Sequence, residues 1–345
     1  MTEHTVNTPD PFLTQTCPAC ARNYFVPAHW HNVACPICQK AMLVPAAQTR
    51  KMPSVELIVK PSLDKATIDA QLARFCKGSA FPYPDFKPEN LSQRLVLVNW
   101  PIWLTDGDLK GAWDATFGYD YQVESSREQM GNAGWSSQKV IKTRVKDEPR
   151  KGFIQRHYDN VLSPALHSHQ ERLSQIGSYQ LNQAGPGKAE DIATGLTQIG
   201  TIAPSELEDF VKQELSKRAA QDCRLASDAQ HIRNFTFNGD YNNLRWTQAL
   251  LPMLASYYTD DQGNRHVVTI NGQNGAVYGQ RIASVKKAGL ITGILLAVAI
   301  ILMLILYFAK VDFFICSSVL LILAFIPLIR AAGWNNKEKN KRPPA

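Results

Sequence analysis

Ala288 to Ala309 reads AGLITGILLAVAIILMLILYFA without one charge, and Phe313 to Ile329 reads FFICSSVLLILAFIPLI, again without a charge. At about 1.5 Å of rise per helical residue, the first run crosses a hydrocarbon core of about 30 Å. The second sits near the short limit of about 17 residues, and Arg330 can snorkel to extend it. Two buried core helices are the competing reading, but runs this apolar leave no polar face for water. Only Lys310, Val311 and Asp312 separate the runs. So short a link predicts an antiparallel transmembrane hairpin, 288–309 and 313–330. Lys286 and Lys287 precede it; Arg330, Lys337, Lys339, Lys341 and Arg342 follow. Basic residues beside short loops mark the cytoplasmic side. Both termini are therefore expected in the cytoplasm, with a basic tail over 331–345. Pro327 falls near the end of the second helix, where one lost donor is tolerated.

The net charge of +7 belongs to this anchor. From Lys286 onward eight basic residues face two acidic ones, a local +6, which leaves the body 29 of the chain's 37 basic and 28 of its 30 acidic residues. A near-neutral body argues against a nucleic-acid footprint, whereas a basic anchor suits an anionic lipid leaflet.

Four of the seven cysteines are grouped as Cys17, Cys20, Cys35 and Cys38: two Cys-x2-Cys pairs separated by fourteen residues. Each pair can form a tight turn that aims two thiolates at one ion, and two such turns predict a closed tetrahedral Zn2+ site. The metal would supply folding free energy that a module of this size, 11–46, cannot draw from a core. His29 and His31 lie between the pairs as alternative ligands, and a redox dithiol is the competing chemistry. Four thiolates leave no open coordination position, so the zinc is expected to be structural.

Residues 1–10 read as a disordered tail and 47–54 as a linker. An α+β domain with an antiparallel sheet is expected over 55–285. Ser62 to Lys77 has helical periodicity, with Ile68, Leu72, Phe75 and Cys76 on one face. From Leu109 to Tyr121 the odd positions carry Leu, Gly, Trp, Ala, Phe, Tyr and Tyr, which predicts a long strand with one buried aromatic face. Lys139, Lys142, Arg144 and Lys146 form a basic patch suited to phosphate or lipid headgroups, or a solvated strand face. His167 and His169 could form a ligand pair but lack companions. Pro204 to Leu225 reads as a helix, capped by Ser205 and Glu208, that buries Leu207, Phe210, Val211 and Leu215. Separate strands around Phe235–Phe237 and Ala249–Tyr258 then lead into a meander, with turns at DDQGN and NGQNG.

The cysteine module, LVNWPIWLTDGDLKGAWDATFGYDY and LLPMLASYYTDDQGNRHVVTINGQNGAVYGQ together resemble a bacterial family of zinc-ribbon membrane proteins, often labelled primosomal or replication-restart helicase-like. Met253 and Leu254 stand where that family usually has a tryptophan. A helicase needs a phosphate cradle and an acidic magnesium motif, and the pattern GxxxxGK[ST] is absent; GxSxG and HExxH are absent as well. The resemblance implies the inner membrane and association with scaffold-like proteins. The expected function is a non-catalytic, membrane-anchored adaptor that contacts lipid and cytoplasmic or membrane-associated scaffold proteins, and that can oligomerise. A membrane-tethered nucleic-acid-binding protein is the alternative.

Overall fold

The computed structural model describes residues 11–53, 55–131, 134–308 and 321–340. The chain begins with β1 (Phe12–Thr16), β2 (Asn23–Pro27), β3 (Val44–Pro45) and β4 (Leu57–Ile58), then α1 (Lys65–Lys77) and α2 (Pro88–Gln93). Two long strands follow, β5 (Val96–Gly131) and β6 (Gly134–Pro164). Next come α3 (His169–Ile176), β7 (Gly185–Pro186), α4 (Ala189–Ile192), β8 (Leu196–Gln198) and α5 (Glu208–Ala226). The chain continues with β9 (His231–Thr259), β10 (Arg265–Asn271), β11 (Val277–Gly279), α6 (Val285–Phe308) and α7 (Ile326–Asn340). The eleven strands share one hydrogen-bonded network in which antiparallel pairs predominate, consistent with the expected α+β class. Two compact units result. One holds the described residues of Met1–Pro101, Leu166–Gly200 and Ala249–Ala345, the other Ile102–Ala165 and Thr201–Gln248.

In the first unit, Asp64 caps α1 by accepting the Thr67 N–H at 2.9 Å, satisfying one orphan donor of the first turn. Leu72 is fully buried, and Ile68, Phe75 and Cys76 pack with it against Tyr83, Phe86, Leu91 and Tyr258. Cys76 is thus a packing residue, as its place on the apolar face predicts. β9, β10 and β11 form the expected meander, with Ile270 opposite Leu254 on one side and Val277 on the other. Its two turns use Gly263 and Gly275 at φ +84 and +74, a conformation that side chains with a Cβ resist. β2 pairs with β8, placing Tyr24 opposite Gln198, so the cysteine module is hydrogen-bonded into the sheet.

The second unit is built on β5 and β6, paired in register from Ile102–Pro164 to Gly131–Gly134 with one irregularity between Thr105 and Gly107. The period-two aromatic face is real: Leu109, Ala115 and Phe117 are buried, and Trp113 and Tyr119 pack beside them. α5 covers the neighbouring stretch with Val211, Leu215 and Ala219, all fully buried against Leu109 and Val161. The expected Ser205–Glu208 cap does not form. A single 3-10 turn, Pro204–Glu206, precedes the helix, and the Glu206 carboxylate accepts the Ala203 N–H at 2.9 Å. The two strands expected around Phe235 and Ala249 are one continuous strand, β9. Within it, Gly239 allows a close backbone contact in the sheet.

α6 matches the first apolar run. Val285–Ile305 has a mean hydropathy of 2.9 and is long and apolar enough to cross a membrane. Much of its surface, including Leu290, Ile294, Ile301 and Ile305, is uncovered. The expected second span, 313–330, lies outside the described residues as far as position 320. Helical backbone over 321–324 breaks at Phe325, and Pro327 is the second residue of α7, within the first turn, where a missing donor is harmless. Ala331 of α7 packs against Ala288. Asn335 Oδ1 accepts the Ala283 N–H at 2.8 Å, and Trp334 Nε1 donates to the Arg281 carbonyl. α7 thereby clasps the segment that enters α6.

Candidate metal centre

Each cysteine pair sits in a turn of the same design. The Ala21 N–H donates to the Cys17 carbonyl at 2.8 Å, and the Gln39 N–H donates to the Cys35 carbonyl at 3.0 Å. Ala21 and Gln39 both take left-handed backbone at φ 54 and 55. That conformation costs about 1–2 kcal/mol for a residue with a Cβ. β1, β2 and the Ala34–Met42 bridge bring the two turns together.

The four sulfurs all lie within 4.8 Å of one another. Cys17 Sγ is 3.5 Å from Cys38 Sγ, and Cys20 Sγ is 3.7 Å from Cys35 Sγ. These separations are far beyond a disulfide of about 2.05 Å, and all four cysteines are free. Four sulfurs at about 2.3 Å round one tetrahedral ion would sit about 3.8 Å apart, so the donor set fits a closed metal site. His29 and His31 are exposed, and among the described residues the cluster consists of the four cysteine sulfurs.

The surroundings favour thiolate at Cys17 and oppose it at Cys20 and Cys38. Burial opposes ionisation of Cys17, but the backbone N–H groups of Ala19 and Cys20 and the Cys38 thiol bring it down to about 7. Burial pushes Cys38 up to about 12 and raises Cys20, an arrangement of crowded thiols that a cation would relieve. The Tyr24 hydroxyl lies 3.5 Å from Cys35 Sγ. Arg22 is hydrogen-bonded to Cys20, which keeps its guanidinium charged despite burial. Tyr24, Val26 and Leu43 close the module over the sulfurs, and Leu196 of β8 joins them.

The basic patch is not a single surface. Lys142, Arg144 and Lys146 alternate along one face of β6, as i, i+2 and i+4 must, while Lys139 points to the other. All four are exposed. Lys139 lies 3.6 Å from Glu124, and Lys146 lies 2.9 Å from Glu148. His167 is exposed and His169 buried, so the two do not converge.

The sequence gives no warning of a buried polar group on α3. His169 and Arg172 are 1% and 7% exposed. Neither ring nitrogen of His169 and neither terminal nitrogen of Arg172 has a hydrogen-bond partner. Burial, then the Arg172 charge, lowers His169 to about 4. The segment HQERLSQI is mostly polar and offers no local signal of burial.

No protein-family model, curated protein or solved structure matches the chain.

Proposed function

We propose that the protein is a non-catalytic membrane-anchored adaptor whose cysteine module is held by structural zinc. In this reading the two apolar runs form a two-pass hairpin in the bacterial inner membrane, with both termini and the folded body in the cytoplasm. Zinc is preferred because four thiolates in a closed tetrahedron match its usual structural site.

The observation that carries the adaptor role is the reach of the β5–β6 hairpin. β9 begins at His231, beside Gly118. Past that point, among the described residues, the two strands have only each other. The eleven residues from Tyr121 to Gly131 extend roughly 35 Å at about 3.4 Å per residue. Two-stranded ribbons are marginal in water by themselves. This one also exposes Tyr121, Met130 and Ile141 at 46%, 74% and 64%. A projecting strand pair with apolar side chains and a free edge supports docking of a partner chain by strand addition or side-chain burial.

Replacing residues 122–143 with a two-residue Asn-Gly turn tests this. In vivo crosslinking and mass spectrometry should show the loss of specific partners while the protein stays in the membrane. An unchanged set of crosslinked proteins would exclude the arm as the docking element.

A second reading draws on one feature of the same arm. Tyr121 stands opposite Arg144, and Val123 opposite Lys142, the mixture of cation and aromatic ring that single-stranded nucleic acid uses. Nucleic-acid retention that falls steeply with salt, and is lost in Arg144→Glu, would favour it over the adaptor.

A further inference from the structure

A cavity of about 510 Å³ opens in the first unit, within the size range of small-molecule sites. Its polar wall includes Ser168, Glu171, Arg172 and Gln175 of the α3 segment and Arg22 of the first cysteine turn. Its apolar wall includes Ile37 of the second cysteine turn, Ile176 and Met253. Tyr278 and Gly279 of β11 complete it, only a few residues before α6.

The unusual member is Arg172. A guanidinium taken out of water requires a carboxylate, a phosphate or several carbonyls in compensation. Arg172 is 7% exposed, and its two terminal nitrogens have no acceptor. It lies over the Trp100 ring at 5.4 Å, which offsets only part of the desolvation cost. The charges around it do not fill the gap. Arg22 repels it and is itself held by Cys20. Glu171 attracts it only through space and accepts the Gln175 amide at 2.8 Å instead. Ser168, the residue preceding α3, makes no capping bond with its hydroxyl.

We infer that this cavity is a binding site for the oxyanion group, carboxylate or phosphate, of a small amphipathic molecule, with Arg172 as its fixed cation. The fork of a guanidinium suits two parallel hydrogen bonds to such a group, and Gln175 and Ser168 lie on the same wall to supplement them. The apolar wall accommodates a short hydrocarbon portion. The molecule would touch both cysteine turns and the strand that leads into the membrane helix.

The test uses the full-length protein in nanodiscs, with octanoate and inorganic phosphate as probes and calorimetry as the readout. Saturable octanoate binding, tighter than phosphate, is expected. Arg172→Met should weaken it at least tenfold, about the value of one charge-assisted hydrogen bond. Gln175→Trp, which keeps the cation and obstructs the cavity, should weaken it by a similar factor and decides the matter should Arg172→Met fail to fold. Discs with and without phosphatidylglycerol separate the sources. Weaker octanoate binding in the anionic discs points to a lipid headgroup as the natural occupant, and equal binding points to a soluble molecule. The absence of saturable binding by either probe, or binding unaffected by Gln175→Trp, overturns the inference.

Discussion

Gly111 and Gly239 meet across the β5–β9 pair so closely that a Cβ built on Gly239 would lie 2.5 Å from Gly111 Cα and 2.3 Å from the Lys110 carbonyl oxygen. Both obstacles are backbone atoms and cannot turn aside as a side-chain tip could. The same holds in reverse, where a Cβ on Gly111 would meet the Asn238 carbonyl at 2.5 Å.

Gly239→Ala should therefore destabilise the second unit by about 1–3 kcal/mol, the usual range for a core forced apart. Hydrogen exchange on the full chain provides the measurement, with amides of β9 and α5 losing protection together. Gly185→Ala is the control: a Cβ there meets nothing within 4 Å, and its protection pattern should not change.

The DDQGN turn supplies a pH-dependent contribution. Asp260 Oδ1 accepts the Gln262 and Asn264 N–H groups at 2.8 and 2.9 Å, and Oδ2 lies 3.0 Å from His266 Nε2. Burial alone would raise this carboxyl, but the His266 contact and the Asn264 and Gln262 bonds outweigh it and hold the group at about 2. Because the folded value lies below the unfolded one of about 3.9, the contribution is complete above about pH 4. It disappears as pH falls towards 2. Asp260→Asn should be less stable at pH 7 and show a shallower loss of stability across that window. An acid limb identical to the parent's would mean that Asp260 does not contribute.

Much of this architecture can be read from local spacing. The Cys-x2-Cys pairs announce their turn because both ligands come from one short loop. The aromatic alternation from Leu109 to Phe117 announces a half-buried strand because α5 covers only one face. Arg172 is illegible for the opposite reason: it lies over Trp100 and shares a cavity wall with Met253, each more than seventy positions away. The continuity of β9 through Gly239 is illegible for the same reason: that glycine lets two backbones approach within the sheet, and its neighbour Gly111 is far away in the sequence.

The cysteine cluster should hold one metal ion per chain, and the fold of the module should depend on it. Cys17→Ser with Cys20→Ser is expected to abolish the bound metal, measured by mass spectrometry of the native protein. The β1–β2 amides should lose exchange protection in the same variant, since zinc sites contribute folding free energy on the order of 10 kcal/mol. His29→Ala with His31→Ala should retain the full metal content. Loss of metal in the histidine pair, or retention in the cysteine pair, would reassign the ligands.

The proposed two-pass anchor makes a sidedness prediction that a single span does not make. Lys286 Nζ and Lys287 Nζ reach the Asp261 and Pro82 carbonyls at 3.4 and 2.6 Å, so the start of α6 is tied to the folded body. Ala331 packs on Ala288, which returns the chain after residue 320 to the same end of α6. With a helix of membrane-spanning length leaving that end, the intervening link should lie on the opposite face. A cysteine placed by Asp312→Cys should react with a membrane-impermeant maleimide in intact cells, whereas Cys223 should react only after the membrane is opened. If Asp312→Cys also required permeabilisation, the second run would not cross, and the anchor would be a single span or a surface-lying segment.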